Sequence, residues 1–348
     1  MKKLLFGLII SLISIGSMAQ VMRDIRGTVL DADTKIPIYR ARVFLVSDSL
    51  ARGILSDSNG QFVLKRIPTG RHTLKVSHKG HKTKILSNVV ITSGKETVLK
   101  IVLPSAAFSD NEITSTQARN GEPANEMAMV SAREFTVDET VRYAGSRGDP
   151  LRTALNFAGV QGIDDSRNDL VIRGNSPYAL AIQVNGVNIM NSNHFATPGT
   201  NGGPLSKISF KFLENSDFYS GCMPAEFGNS TSGVFDLNIK SGNNKKHEQG
   251  IYFGVLGADV FIEGPMNKEK GSSYLLNYRI SPITLFMDLG LDFGTSSRPF
   301  YQDLNFNFYW PKKNGSAISF WGITGNSIST ITLSDDTEVT TELYGDND

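Results

Sequence analysis

The hydrophobic and polar positions fall into four textures along the chain. From Asp24 to about Leu103 they form short β-rich runs: Ile25 to Leu30, Ala41 to Val46, Gln61 to Leu64, Thr73 to Ser77 and Thr97 to Leu103. Turn clusters separate them, Asp57-Ser58-Asn59-Gly60 as a hairpin turn and Pro68-Thr69-Gly70. About seven strands in roughly 80 residues predict a small β-sandwich. From Pro104 to about Asn125 the sequence is Ser, Asn, Thr, Glu and Ala without periodicity, which predicts a linker.

A mixed α+β segment follows, about Glu126 to Asn243. Thr136 and Glu139 have capping-box spacing and open a short helix to about Ala144. Asp149-Pro150 supplies an N-cap and an N1 proline for a second helix, with Leu151 and Leu155 on one face and Gly159 beyond its end. Strands are expected at Leu170 to Arg173, Ala181 to Asn185 and Val234 to Ile239. Beyond Glu248 the runs lengthen: Gln249 to Glu263, Ser273 to Ser281, Tyr301 to Trp310 and Ser316 to Gly325, about four strands. In the third, Leu304, Phe306 and Phe308 alternate with Asp303, Asn305 and Asn307. Such dyads suit a transmembrane β-strand, apolar outside and polar inside. An antiparallel sheet with one face in water produces the same alternation.

Composition narrows the function classes. The 33 glycines, among Val, Ile, Phe, Thr, Ser and Asn, favour strands and turns over long helices. A formal net charge of +1 argues against nucleic acid as a partner and against bulk attraction to an anionic surface. The single cysteine, Cys222, excludes an intramolecular disulfide and reads as a small buried hydrophobe. Lys2-Lys3, the apolar stretch Leu4 to Ile15 and Ser17-Met18-Ala19 form a cleaved secretory signal over residues 1–19. The chain is expected to leave the cytoplasm.

Two sets of motifs carry a family resemblance. Gly27-Thr28-Val29, Pro37, Ala41-Arg42-Val43, Ser56 to Phe62, Ile67 to Gly70 and Val76 to Gly80 resemble the carboxypeptidase regulatory-like domain. Ser216 to Gly242, containing Gly221, Phe227, Gly228 and Gly233, resembles the end of a TonB-dependent receptor plug. Val171-Ile172-Arg173-Gly174 and Val184-Asn185-Gly186-Val187 are similar to two further plug strands, with Asn185 where an aspartate is usual.

The resemblance implies a mainly β protein in five parts: signal peptide 1–19, regulatory-like β-sandwich 21–103, linker 104–125, α+β plug 126–243, and 247–348 as the first strands of an incomplete antiparallel transmembrane β-barrel. It implies a receptor in the cell outer membrane that takes up a small ligand by TonB-energised transport without a cofactor. TonB, outer-membrane lipid and a surface lipoprotein are the implied partners. Asn111-Glu112-Ile113-Thr114-Ser115-Thr116 is similar to the TonB box, an extended segment that would add a strand to TonB; on composition alone these six residues are also simply linker. The loop from Asn191 to Gly203 would touch the ligand.

Such barrels close with about 22 strands. The chain is therefore expected to be an N-terminal fragment, not competent to transport alone. The alternative is a secreted or surface β-rich binding protein.

Individual residues sharpen the expectations. Gly174, Gly186, Gly221, Gly228 and Gly233 would permit positive φ or close backbone approach, or serve as ordinary turn glycines. In the family, plug arginines pair with barrel glutamates, which gives Arg173 either that role or an ion pair within the plug.

No enzyme signature is present. None of His72, His78, His81, His194 and His247 has a glutamate three residues on, so the zinc pair of a carboxypeptidase is missing, and the first three read as surface histidines. The loop at Asp57 lacks the closing glutamate of a calcium loop.

Overall fold

A computed structural model describes residues 22–46, 53–93, 95–105, 131–190, 192–196, 202–254, 257–281, 283–288, 290, 297–312, 316–332 and 338–343. The signal peptide, the segment Asn111 to Thr116 and residues 191 and 197–201 of the 191–203 loop lie outside the described residues.

The first unit is a two-layer sandwich. Its strands are β1 (Met22–Asp31), β2 (Arg42–Leu45), β3 (Gly53–Leu55), β4 (Gln61–Pro68), β5 (Gly70–Ser77), β6 (Lys84–Ile91) and β7 (Thr97–Leu103). One sheet runs β4-β1-β7 with β1 and β7 parallel, the other β3-β2-β5-β6. Inward residues of both layers, among them Ile25, Val29, Val43, Phe62, Leu74, Val76 and Ile101, form one core. Two strands escape the sequence reading, β3 and β6. β3 has only three residues, all exposed, so it carries no alternation to detect.

The turn at Asp57 is corrected too. It does not close a hairpin, because β3 and β4 belong to different sheets. The Asp57 carboxylate accepts from Asn59 N (2.9 Å) and Gln61 N (2.8 Å), and Gly60 at φ +68 completes a corner between the layers.

The central unit begins with β8 (Ala132–Phe135) and α1 (Val137–Arg142). The capping box closes as expected: Glu139 N donates to Thr136 Oγ1 at 3.3 Å, and Thr136 N to Glu139 Oε2 at 3.0 Å. The expected second helix is a 3-10 segment, Arg152–Asn156. Its N-cap is Leu151, without a side-chain cap, so the expected Asp149 N-cap and Pro150 N1 fall before the segment. Asp149 accepts from Leu151 N at 2.9 Å, and Leu151 and Leu155 do face the core.

The chain continues through β9 (Val160–Gly162), β10 (Leu170–Ile172), β11 (Leu180–Val184), β12 (Val187–Asn188), β13 (Asn193–His194), β14 (Leu205–Ser206), β15 (Ser216–Tyr219) and β16 (Gly233–Leu237). The principal sheet runs β12-β11-β16-β15-β8, and Phe135, Phe218, Phe235, Ile182 and Leu237 fill its buried side.

The third unit is an antiparallel meander of six strands: β17 (Glu248–Gly254), β18 (Gly257–Asn267), β19 (Ser272–Ile280), β20 (Ser297–Pro311), β21 (Ala317–Thr332) and β22 (Glu338–Leu343). A short helix, α2 (Ile283–Asp288), lies between β19 and β20. The expected count of about four is corrected to six among the described residues. The run Gln249 to Glu263 is two strands, paired from Glu248↔Glu263 to Gly254↔Gly257. Val255 and Leu256, between those glycines, are apolar, so no polar turn signal marks the reversal. The terminal strands β17 and β22 each have one neighbour, so this sheet is open.

Candidate functional site between the central unit and the strand sheet

The two faces of the meander differ in chemistry, and its register shows how. One row holds Glu263↔Leu275↔Asn307, the next Phe261↔Asn277↔Asn305, and the next Asp259↔Arg279↔Asp303. These residues face the central unit, and Glu263, Asn277, Asp303, Asn305 and Asn307 are buried there. The intervening positions include Ile251, Phe253, Val260, Ile262, Tyr278, Trp310, Ile318 and Phe320, all exposed, with Leu276, Leu304, Phe306 and Phe308 half-buried between them. Ile251 is 83% exposed and Phe320 61%. A sheet in water buries its apolar face, and this one presents its apolar face outward.

Two lysines and one histidine of the central unit meet carboxylates of the sheet. Lys211 Nζ lies 2.5 Å from Asp259 Oδ1 and over the Tyr252 ring, 4.5 Å from its centroid. Lys240 Nζ lies 3.0 Å from Glu263 Oε2, and Lys95 of the sandwich bonds the other oxygen of the same carboxylate. Two ammonium groups thus share one buried carboxylate. Burial, then the Lys95 charge, pushes Lys240 down to about 8 against the pull of Glu263. Backbone contacts complete the seam: Asn243 N donates to Glu263 Oε2 (3.1 Å), Asn307 Nδ2 to the Lys240 carbonyl (3.0 Å) and Asn305 Nδ2 to the Lys207 carbonyl (3.2 Å).

The third contact is a buried triad. His194 Nε2 is 3.0 Å from Asp303 Oδ2, which also accepts from Arg279 Nε (2.9 Å) and Nη2 (2.7 Å). Arg279 already balances the Asp303 charge. Nδ1 of His194 is buried without a described partner, so a neutral ring donating from Nε2 costs less than a cation with an orphaned N–H. Burial accordingly holds His194 below its ordinary value of 6.5, with Asp303 opposing.

A depressed histidine is protonated first in the unfolded chain, so stability is lost as pH falls through 6.5 towards the folded-state value. The seam is expected to weaken across that interval, and His194→Gln to flatten the slope. The check is the denaturant midpoint read from Trp321, which packs against the central core. An unchanged pH slope in the variant refutes the assignment.

The expected motif residues sit mostly in tight turns around the central sheet. Ile172 is fully buried, and Arg173-Gly174, at φ +50 and +78, turn the chain so that Asn175 N donates to Ile172 O at 2.9 Å. Asn185-Gly186, at φ +47 and +80, form the two-residue turn of the β11–β12 hairpin, a conformation Asn and Gly tolerate. The Asn185 side chain also accepts from Ile239 N at 2.9 Å. A Cβ on Gly233 would stand 2.6 Å from both Ile172 Cδ1 and Tyr219 O, the close approach anticipated for it. Phe227 stacks 4.9 Å from Tyr219, whereas Gly228 is exposed with open space around it.

Arg173 does not take a carboxylate among the described residues. Its guanidinium donates to the hydroxyls of Ser131 (2.6 Å) and Ser220 (3.4 Å) and lies against Gly221. Its backbone is left-handed and its side chain is exposed. Cys222 is exposed at φ +50, which corrects its reading as a buried hydrophobe. Sequence reasoning missed Lys211, Lys240, Lys207, Glu263 and Asp259. The alternation Asp303/Asn305/Asn307 was the only available signal, because it marks the polar face.

Residues 24–104 match the family model of the carboxypeptidase regulatory-like domain. Over 225 residues the chain is 25% identical to the TonB-dependent transporter Oar of Myxococcus xanthus, covering 64% of this chain and 20% of that protein. The likeness is to TonB-dependent receptors with an N-terminal regulatory-like domain. The chain spans about a fifth of the length of this curated relative.

Two solved structures are similar in part. A mutant ferric enterobactin receptor of Pseudomonas aeruginosa, in complex with enterobactin, shares 18% identity over 61% of this chain and 35% of its own, with a TM-score of 0.39. The outer membrane transporter YddB from Escherichia coli shares 16% over 59% and 34%, with a TM-score of 0.40.

The regulatory-like domain itself holds a small histidine cluster. His81 Nε2 is 2.8 Å from Asp31 Oδ2, and His78 and His81 contact through Nδ1 at 3.0 Å. These rings are half-buried, more enclosed than surface histidines. Among the described residues no group of three or more His, Cys, Asp and Glu is arranged to hold a metal.

Proposed function

We propose that this chain is the N-terminal part of a TonB-dependent outer-membrane receptor, which takes up a small ligand and is not an enzyme. The observation that carries the reading is the inverted sheet: exposed aliphatic and aromatic residues outside, buried carboxylates and amides against the central unit inside. In lipid an apolar outer face is the stable arrangement, and a polar inner face needs a polar filler. The central unit, bonded through Lys211, Lys240 and His194, is that filler and acts as the plug. Residues 1–19 act as the export signal. The segment Asn111 to Thr116 pairs with TonB as an added strand, outer-membrane lipid covers Ile251, Phe306 and Phe320, and a surface lipoprotein is a further partner. Among the described residues no helix is long and apolar enough to cross a membrane.

The test is expression of the complete coding region with an epitope tag behind the signal peptide, followed by fractionation. A heat-modifiable product in the outer membrane is expected. A product soluble in the periplasm or medium would restore the secreted binding protein.

A substitution probes the same face. Leu304 points outward near the middle of β20, opposite Thr324 and Tyr278. Leu304→Arg is expected to cost about 2–4 kcal/mol of stability in bilayers. In a water-facing sheet the change would be nearly neutral, so a bilayer unfolding titration unmoved by L304R contradicts the lipid-facing assignment.

A further inference from the structure

The regulatory-like domain touches the rest of the chain through a patch of hydrogen bonds and ion pairs. Arg26 on β1 is its centre: Nε donates to Glu96 (2.9 Å), Nη1 to Asn244 Oδ1 (2.9 Å) and Nη2 to Asn243 Oδ1 (2.5 Å). Glu96 in turn accepts from Asn243 Nδ2 (3.0 Å), pairs with Lys246 (3.2 Å) and donates its own N–H to Glu248 Oε1 (2.7 Å). Beside them Lys95 reaches Glu263 of the wall. Lys84 attracts Glu134 and Lys100 attracts Glu214, so the sandwich offers cations where the central unit offers carboxylates.

Most of the Arg26 and Glu96 contacts converge on one short stretch. Residues 238–247 join β16, the last strand of the central sheet, to β17, the first strand of the wall. Arg26 and Asn243 are 217 residues apart in sequence, yet both are buried at the contact. A guanidinium taken out of water is tolerated only where its donors are met, so this patch fixes one orientation. Its hydrogen bonds and ion pairs are polar, and polar interdomain contacts of this kind come apart and re-form.

We infer that the regulatory-like domain is a reversible clamp on the joint between plug and wall, closed by Arg26 and Glu96 on residues 243–248 and by Lys95 on Glu263 beside them. While it is closed, Lys240 and Asn243 are held against Glu263. When it opens, the joint is free to lengthen or turn. The clamp is a contact in its own right, and only its bearing on a moving plug rests on the proposed function.

The test is hydrogen–deuterium exchange on the full-length protein in detergent, comparing wild type with Lys95→Glu and Arg26→Met. The first variant reverses a half-exposed charge opposite Glu263 and spares the sandwich core. Peptides covering 240–248 are expected to exchange ~10-fold faster in both variants, with β2 and β5 as protected as in wild type. Unchanged exchange at 240–248 in Lys95→Glu overturns the clamp. Loss of protection in β2 and β5 together with 240–248 in that variant overturns it as well, because the residues would then only support the sandwich. The readout needs no transport, so it stands apart from any failure of the receptor reading.

Discussion

Glu263→Gln is expected to loosen the joint between the central unit and the strand wall by about 3–5 kcal/mol, the effect of breaking a buried ion pair from one side. Glu263 is fully buried and pairs with both Lys240 and Lys95. Glutamine keeps an acceptor for Asn243 N but leaves two ammonium groups facing each other without a counter-charge. The loss should depend on pH in a definite direction. Lys240 is already depressed to about 8, and removing the carboxylate lowers it further, so above that value it sheds its proton and the repulsion with it. The penalty is therefore full below that lowered value and shrinks as the pH rises towards and past 8. Replacing all three groups together, by Leu at Glu263 and Met at both lysines, should restore most of the stability, because no buried charge is then unpaired. The denaturant midpoint of Trp321 fluorescence, with Trp310→Phe to silence the outward indole, measures all of these. A midpoint for E263Q within error of wild type at neutral pH sinks the assignment.

What the sequence displayed was local. The capping box at Thr136 and Glu139, the turn chemistry of Asn185-Gly186 and the dyads of β20 each involve residues within a few positions of one another. Their physics is complete at that range. The seam is built from partners that no local pattern joins: His194 with Asp303 across 109 positions and Lys211 with Asp259 across 48. Each of these looks like an ordinary surface charge until the sheet register brings it inward. The same limit explains two errors. Gln249 to Glu263 read as one strand because Val255 and Leu256 hide the reversal, and Arg173 was given a carboxylate because a charge inside an apolar run suggested burial. The backbone at Arg173 instead turns left-handed and carries the side chain to exposed hydroxyls. The polar face of β20 could be recognised in advance as inward. What it touches could not.

Arg152→Met is expected to destabilise the central unit on the order of 3 kcal/mol, although Arg152 carries no motif. It is the largest of the fully buried side chains and holds a whole corner together. Its Nε donates to the Gly145 carbonyl (3.2 Å), Nη1 to the Arg167 carbonyl (3.1 Å) and Asn168 Oδ1 (3.2 Å), and Nη2 to Asp165 (2.7 Å). Asp165 is 82% exposed, so losing that ion pair alone matters little. The three remaining acceptors decide the magnitude, since each, left without a donor, costs about 1 kcal/mol or more. Asn168 also bonds Asp149 and Asn193, so its displacement disturbs the approach to the 3-10 segment and the strand carrying His194. Methionine fills much of the volume, which confines the effect to the donors. Lysine at 152 keeps the charge but lacks the planar fork, and is expected to recover less than half of the loss. The same Trp321 midpoint compares R152M and R152K. If lysine restores wild-type stability, charge and not the geometry of the fork is what the corner requires, and the reading of Arg152 as a multi-acceptor donor fails.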